Sequence, residues 1–180
     1  GGNNITHWSF LDSKDEGEDF KNIGVEYLCS KLFLIADNDG SDDEDPKKDK
    51  KRARLNHLKE KLTDERFYEL ETREIENMLS PDILVKTLKA LDKAGKVKDF
   101  SPIESVSFED YQKEKLGEFC DKKLGLTRYS SASGSVKQKP DFAVQAIKAM
   151  SKDDYKFENL SAPAQELAKR LYKFIESQNQ

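Results

Sequence analysis

The sequence predicts an α/β fold, a parallel sheet flanked by helices with a C-terminal helical extension. Three observations carry that expectation. An uninterrupted apolar run, Leu32-Phe33-Leu34-Ile35-Ala36, ends in Asp37-Asn38-Asp39-Gly40, the pattern of a strand buried on both faces that stops at a turn. Segments with helical spacing stand before and after it, so strand and helix alternate as in βαβ units with right-handed crossovers. With 180 residues, the chain is also long enough to bury a real core.

Taken in order, Ile5 to Phe10 alternates enough to be a strand or strand end, after a Gly1-Gly2-Asn3-Asn4 turn. Asp12 to Gly17 reads as a loop. Glu18 to Ser30 places Phe20, Ile23, Tyr27 and Leu28 at roughly helical spacing, with Gly24 weakening the pattern. The strand Leu32 to Ala36 follows, then an acidic loop from Gly40 to Asp49 that cannot bury surface. Lys47 to Arg54 carries six cations in eight residues, a solvated helix start or a nucleic-acid contact. Leu55, Leu58 and Leu62 make a helical stripe that Thr63-Asp64 ends, and Phe67 to Glu71 reads as another short strand.

Arg73 to Leu79 leaves that strand. Ser80-Pro81-Asp82 is a strong helix start, with serine as cap and proline in the first turn, leading into Ile83 to Leu91. Ala94-Gly95 closes that helix and Val97 to Ser105 is a loop. Phe108 to Leu124 is expected as one helix, with Tyr111, Leu116, Phe119 and Cys120 inward. Gly125 to Gln138, rich in serine and glycine, is expected to be flexible. Pro140 to Met150 is apolar on one side through Phe142, Ala143, Ala146, Ile147 and Met150, and a last helix runs from Ala162 to Ile175. The organisation expected is one domain over 1–150 with a helical insertion at about 92–136, and a helical extension over 151–180.

Composition narrows the function classes. A charged fraction of 37% and a net charge of −4 argue against a wholly basic nucleic-acid-coating protein, while a local basic face or a metal bridging to phosphate stays open. Cys29 and Cys120 match no metal-ligand spacing and sit in apolar patterns, as buried free thiols of a cytoplasmic protein do. No apolar run is long enough to cross a bilayer, and no membrane partner is expected.

Three stretches carry chemistry. Asp37 and Asp39 are two residues apart after a buried strand, so an extended backbone sends both carboxylates to one face. Adjacent anions with oxygen-only donors favour Mg²⁺, Mn²⁺ or Ca²⁺, and an acidic loop is the plain alternative. Arg73-Glu74-Ile75-Glu76-Asn77 follows the next strand, where Glu74 or Glu76 can complete a cation's shell or simply favour a helix start. Lys139, at the start of a small-residue helix, can reach a phosphate or a leaving oxygen, or be an ordinary exposed lysine.

In this order the pieces resemble the Toprim nuclease domain of OLD-family (overcoming lysogenization defect) proteins, which carry an ABC-type ATPase domain ahead of it. The resemblance rests on Gly1-Gly2-Asn3-Asn4, on Phe33 to Asp39 ending in Asp-x-Asp, on Arg73-Glu74-Ile75-Glu76-Asn77, and on Lys139-Pro140-Asp141-Phe142-Ala143. Met78 stands where the family usually has an aromatic. The resemblance implies a partial Toprim, Rossmann-like parallel sheet. It also implies Mg²⁺ or Mn²⁺ held by Asp37, Asp39 and Glu74 or Glu76, and Asp37, Asp39 and Lys139 as catalytic residues of a DNA endonuclease in anti-phage defence. The implied partners are DNA, the ATPase domain and further copies of the chain. The family's opening strand ends in Glu-Gly-x-x-Asp, which is absent here. The chain is therefore expected to be the C-terminal part of a longer protein and inactive alone. The rival reading from the residues is a non-catalytic α/β module that binds a partner chain. A receiver-like or phosphatase-like domain is a weaker third, without a helper motif.

Overall fold

Parallel pairing is the arrangement of every described strand. In the computed structural model, which describes residues 8–9, 23–24, 31–38 and 49–179, β1 (Trp8–Ser9) pairs with β2 (Ile23–Gly24), and β3 (Leu34–Ala36) pairs with β4 (Phe67–Glu69). The register of the second pair sets Leu34 against Phe67 and Ala36 against Glu69. The described residues form a mixed α/β structure in which the strands make two small parallel sheets. Ile23–Gly24 is a strand where helical spacing predicted part of a helix over Glu18 to Ser30. Gly24 is a poor helix former and Ile23 is β-branched, so local propensity favours the extended form. The rest of that segment lies outside the described residues, as do Asp39, Cys29 and the Gly1 to Asn4 turn.

The chain divides into two compact units, the first drawn from Gly1–Ala36, Ser41–Glu69 and Lys169–Gln180, the second from Asp37–Gly40 and Leu70–Ala168. In the first unit, α1 (Asp49–Arg66) lays Leu55, Leu58 and Leu62 against Phe67, with Leu34 and Ala36 packed alongside. The predicted break at Thr63 is present as a backbone kink: Thr63 has φ 61° and ψ 166°, a region that disfavours β-branched residues. The helix nonetheless resumes to Arg66.

The second unit carries the larger core. Ser80 precedes α2 (Pro81–Leu91) at the N-cap position without a side-chain capping bond, Pro81 opens the helix, and α2 packs on α5 (Lys139–Ala149) and buries Ile83, Leu84, Val85 and Leu88. Between them stand α3 (Ser101–Glu104) and α4 (Leu116–Leu124), with Ile103, Tyr111, Leu116, Cys120, Tyr129 and Phe142 completing the cluster. The chain ends in α6 (Ala162–Ser177). Expectations are corrected in this unit: α3 is a helical turn inside the stretch Val97 to Ser105 expected as a loop, with Pro102 in its first turn. The helix predicted over Phe108 to Leu124 begins only at Leu116, because Asp110 accepts hydrogen bonds from the Ser107 N–H (2.8 Å) and Oγ (3.1 Å) and closes a turn instead. The inward residues were nonetheless read correctly: Tyr111, Leu116 and Cys120 are buried and Phe119 is partly so.

The stretch Gly125 to Gln138, expected to be flexible, is tied down by a single buried carboxylate. Asp121 accepts the N–H groups of Arg128 (2.8 Å), Tyr129 (2.8 Å) and Ser130 (2.9 Å) and the Ser130 hydroxyl (2.6 Å). Burial pushes the Asp121 pKa upward, but those hydrogen bonds, the hydroxyl's first, outweigh it and hold the group below the usual carboxylate range. Tyr129 and Val136 from the same stretch enter the core. On α5, Phe142 and Ala146 are buried as expected, whereas Ala143 and Ile147 face solvent. Cys120 is a buried free thiol whose pKa burial pushes up to about 12.

Candidate functional site

The site is organised by a 3₁₀ turn, Ile75–Met78, which is locked before any functional side chain is considered. Asn77 is wholly buried. Its Oδ1 accepts the Glu74 N–H (3.2 Å), and its Nδ2 donates to the carbonyls of Tyr111 (2.7 Å) and Glu114 (3.0 Å). The buried Thr72 hydroxyl donates to the Glu74 carbonyl (3.0 Å), and the Arg73 N–H donates to the Gln112 carbonyl (2.8 Å). These bonds pair backbone groups that would otherwise be buried unsatisfied, so the path from Thr72 to Asn77 has little freedom.

On that fixed turn two of the sequence-predicted carboxylates meet the predicted lysine, and a third, Asp37, caps the turn's backbone. Asp37, the residue after β3 in the chain, accepts the Ile75 N–H on Oδ1 at 3.1 Å. Lys139, the first residue of α5, places Nζ 3.0 Å from Glu74 Oε2 and 3.2 Å from Glu76 Oε2. The approach to Glu76 is a hydrogen bond, whereas Glu74 Oε2 is buried without one and meets the ammonium as an ion pair only. The other oxygen of Glu74 accepts the Ser135 hydroxyl. Side-chain exposure separates the partners: Glu74 is 5% exposed and Glu76 10%, but Lys139 is 35% exposed.

How Lys139 comes to point there is local. Gln138 caps α5 in the left-handed region (φ 53°), reversing the chain, and Pro140 in the first turn starts the helix at Lys139. Burial pulls the Lys139 pKa down and is the largest single influence, yet the contact with Glu74 and the charges of Glu76 and Glu74 together hold it above the ordinary lysine value. The ammonium is therefore fully charged at neutral pH. Two carboxylates, Glu74 and Glu76, share that one ammonium.

No protein-family model, curated protein or solved structure matches this chain. The site must be judged on its own geometry. Its donors are oxygens only, the set that hard divalent cations prefer, and Glu74 Oε2 is a buried carboxylate oxygen lacking a hydrogen bond. In that respect the residues fit a divalent cation. Among the described residues, however, no three His, Cys, Asp or Glu side chains are grouped as metal ligands; Glu74 and Glu76 meet an ammonium instead. Asp39, the other half of the Asp-x-Asp pair, lies outside the described residues.

Sequence reasoning missed Asn77 and Ser135 as parts of this site. Asn77 had a signal, as the last residue of the quoted Arg-x-x-Glu-Asn segment, but its task is to hold the turn. Ser135 had none, since it sits in the stretch read as flexible.

Proposed function

We propose that the chain is the metal-dependent nuclease portion of an OLD-like ATPase-nuclease, cutting phosphodiester bonds of DNA in anti-phage defence. The observation that supports this reading best is the meeting of Asp37, Glu74, Glu76 and Lys139, from three stretches spread over a hundred positions, around one locked turn. Asp37 and Asp39, with Glu76 or Glu74, would hold Mg²⁺ or Mn²⁺. The bound ion supplies an activated water and neutralises charge building on the phosphoryl group.

The protein's own groups divide the remaining work. Asn77 and Thr72 fix the turn, so Glu74 and Glu76 keep their positions while the site changes occupancy. Lys139, partly exposed and permanently protonated, presents an ammonium to a phosphate oxygen or to the leaving oxygen. It acts as a charge and not as a base. The phosphodiester brings anionic oxygens of its own, which reconciles an acidic site with a polyanionic substrate. An ABC-type ATPase domain and further copies of the chain are the partners this reading entails.

One specific observation favours a second reading, a non-catalytic module that binds a partner chain. Val144 and Ile147 on α5 are exposed, as are Tyr155 and Phe157 beyond it, and the Tyr155 hydroxyl donates to the Ile147 carbonyl (3.0 Å). In that reading Lys139, Glu74 and Glu76 are a structural staple.

The deciding assay is plasmid nicking with Mg²⁺ or Mn²⁺ by the longest natural form of the protein. The nuclease reading predicts nicking that EDTA abolishes and that Asp37→Ala and Asp39→Ala each reduce by at least about a hundredfold, the scale of losing one electrostatic contact in a transition state. Unchanged cleavage in both variants would remove the site assignment.

A further inference from the structure

Beside the locked turn, the second unit carries an open groove of about 740 Å³, lined by Arg73, Lys122, Lys123, Phe119 and acidic residues. That size lies within the ~300–1,000 Å³ typical of ligand clefts. Its charges leave a small cationic excess. Glu118 faces Lys115 at 3.9 Å, and Asp110, which the Ser107 N–H and hydroxyl hold ionised at 2.8 and 3.1 Å, acts electrostatically on Lys123. Arg73, Lys122 and Lys123 stand against Asp110 and Glu114.

The groove also offers an aromatic surface. Phe119 leans on Tyr111, ring centroids 5.9 Å apart, and carries the Lys123 ammonium 5.5 Å from its ring centre. Cations beside a supported aromatic ring are what a nucleic-acid strand needs, phosphates on the first and a base on the second. The groove adjoins the candidate site through one covalent link and one chain of hydrogen bonds. Arg73 precedes Glu74 directly. On the α4 side, the Glu118 N–H donates to the Gly134 carbonyl (2.9 Å), and the next residue, Ser135, hydrogen-bonds Glu74.

We propose that this groove is the track of a single nucleic-acid strand, with phosphates on Arg73, Lys122 and Lys123 and a base stacked on Phe119, leading the phosphodiester toward Glu74, Glu76 and Lys139. The inference rests on the nuclease reading for its direction but not for its test. The Phe119 ring suits an unpaired base, which a duplex keeps stacked inside itself.

The test is fluorescence anisotropy of a short fluorescein-labelled oligothymidylate in EDTA, where nothing is cut. Lys122→Glu/Lys123→Glu alters two exposed positions, and its fold is checked by circular dichroism. Wild type is expected to bind, and the double variant to bind at least about tenfold more weakly. Its salt dependence should be shallower by about 1.4, from two lost phosphate contacts at about 0.7 each. Phe119→Leu should weaken the single strand more than a duplex of the same length. No binding by wild type, or equal affinity and salt slope in the double variant, overturns the groove. Displacement of the oligonucleotide by low millimolar inorganic phosphate overturns the strand in favour of a lone anion site. The outcomes separate from those of the nicking assay: groove-dependent binding without nicking retires the nuclease reading and keeps the groove, and nicking with groove-independent binding does the reverse.

Discussion

Replacing Asn77 with alanine is the perturbation whose size follows most directly from the structure. The side chain is wholly buried and serves three backbone groups at once: the Glu74 N–H at 3.2 Å, the Tyr111 carbonyl at 2.7 Å and the Glu114 carbonyl at 3.0 Å. Alanine leaves all of these without the partner. Each buried group so orphaned costs about 1–3 kcal/mol, and because the groups are neighbours and relax together the sum falls short of additivity. A loss of about 3–5 kcal/mol is expected. With a urea dependence of about 1–3 kcal/mol per molar, the far-ultraviolet circular dichroism midpoint should move down by at least about 1 M. Asn77→Asp keeps the acceptor but loses the amide donor and sets a carboxylate against two carbonyls, so it should be no milder than alanine. A midpoint shift under about 0.3 M for both variants would refute the claim that Asn77 fixes the turn carrying Glu74 and Glu76.

Four further outcomes follow. Asp121→Ala removes the acceptor of three N–H groups and one hydroxyl and should cost at least about 3 kcal/mol, with new proteolytic cleavage between Gly125 and Gln138 under native conditions. Because the folded pKa of Asp121 lies below the unfolded value, its contribution is present above about pH 4 and lost as pH falls through the folded value. In a thermal scan series from pH 5 downward, wild type should lose stability more steeply than Asp121→Ala, which keeps only the acid sensitivity of the other carboxylates with lowered pKa, such as Asp92 and Asp110. Lys139 has the opposite sign: its raised pKa means its contribution is complete below the ordinary value of 10.5 and lost as pH rises through the folded one, so wild type but not Lys139→Met should lose stability at strongly alkaline pH. In a Cys29→Ser background, Cys120 should resist a thiol reagent at pH 8 until denaturant is added, since it is 1% exposed and its pKa is pushed up to about 12.

Much of the candidate site was legible because its residues are of types with strong chemical meaning at strand and helix boundaries. Asp37 stands at the end of a short apolar run, and Lys139 is fixed by the proline that follows it. Glu74 and Glu76 were legible as a pair of acids leaving a strand, although nothing in the sequence says that Lys139 is the cation they meet. The helix start at Ser80-Pro81 was legible from its proline, and the one near Lys139 from the small-residue run that follows it. What was hidden is long-range: Asn77 reaching Tyr111 and Glu114, and Asp121 gathering Arg128, Tyr129 and Ser130. Glycine and serine in Gly125 to Gln138 announce backbone freedom, and a single buried carboxylate removes it. The helix expected from Phe108 failed for a local reason, since Asp110 bonds Ser107 three residues back and competes with the helical ladder.

The central proposal, that Asp37 and Asp39, with Glu76 or Glu74, hold a divalent cation beside Lys139, is tested most directly by Mn²⁺ titration of the longest natural form, read by calorimetry and by electron paramagnetic resonance. The account predicts saturable binding of one or two ions, at least about tenfold weaker in Asp37→Ala and in Glu76→Gln, and tighter in Lys139→Met, where the competing ammonium is gone. An absence of binding, or isotherms that are the same in wild type and all three variants, would contradict it and leave the ion pairs as a structural staple.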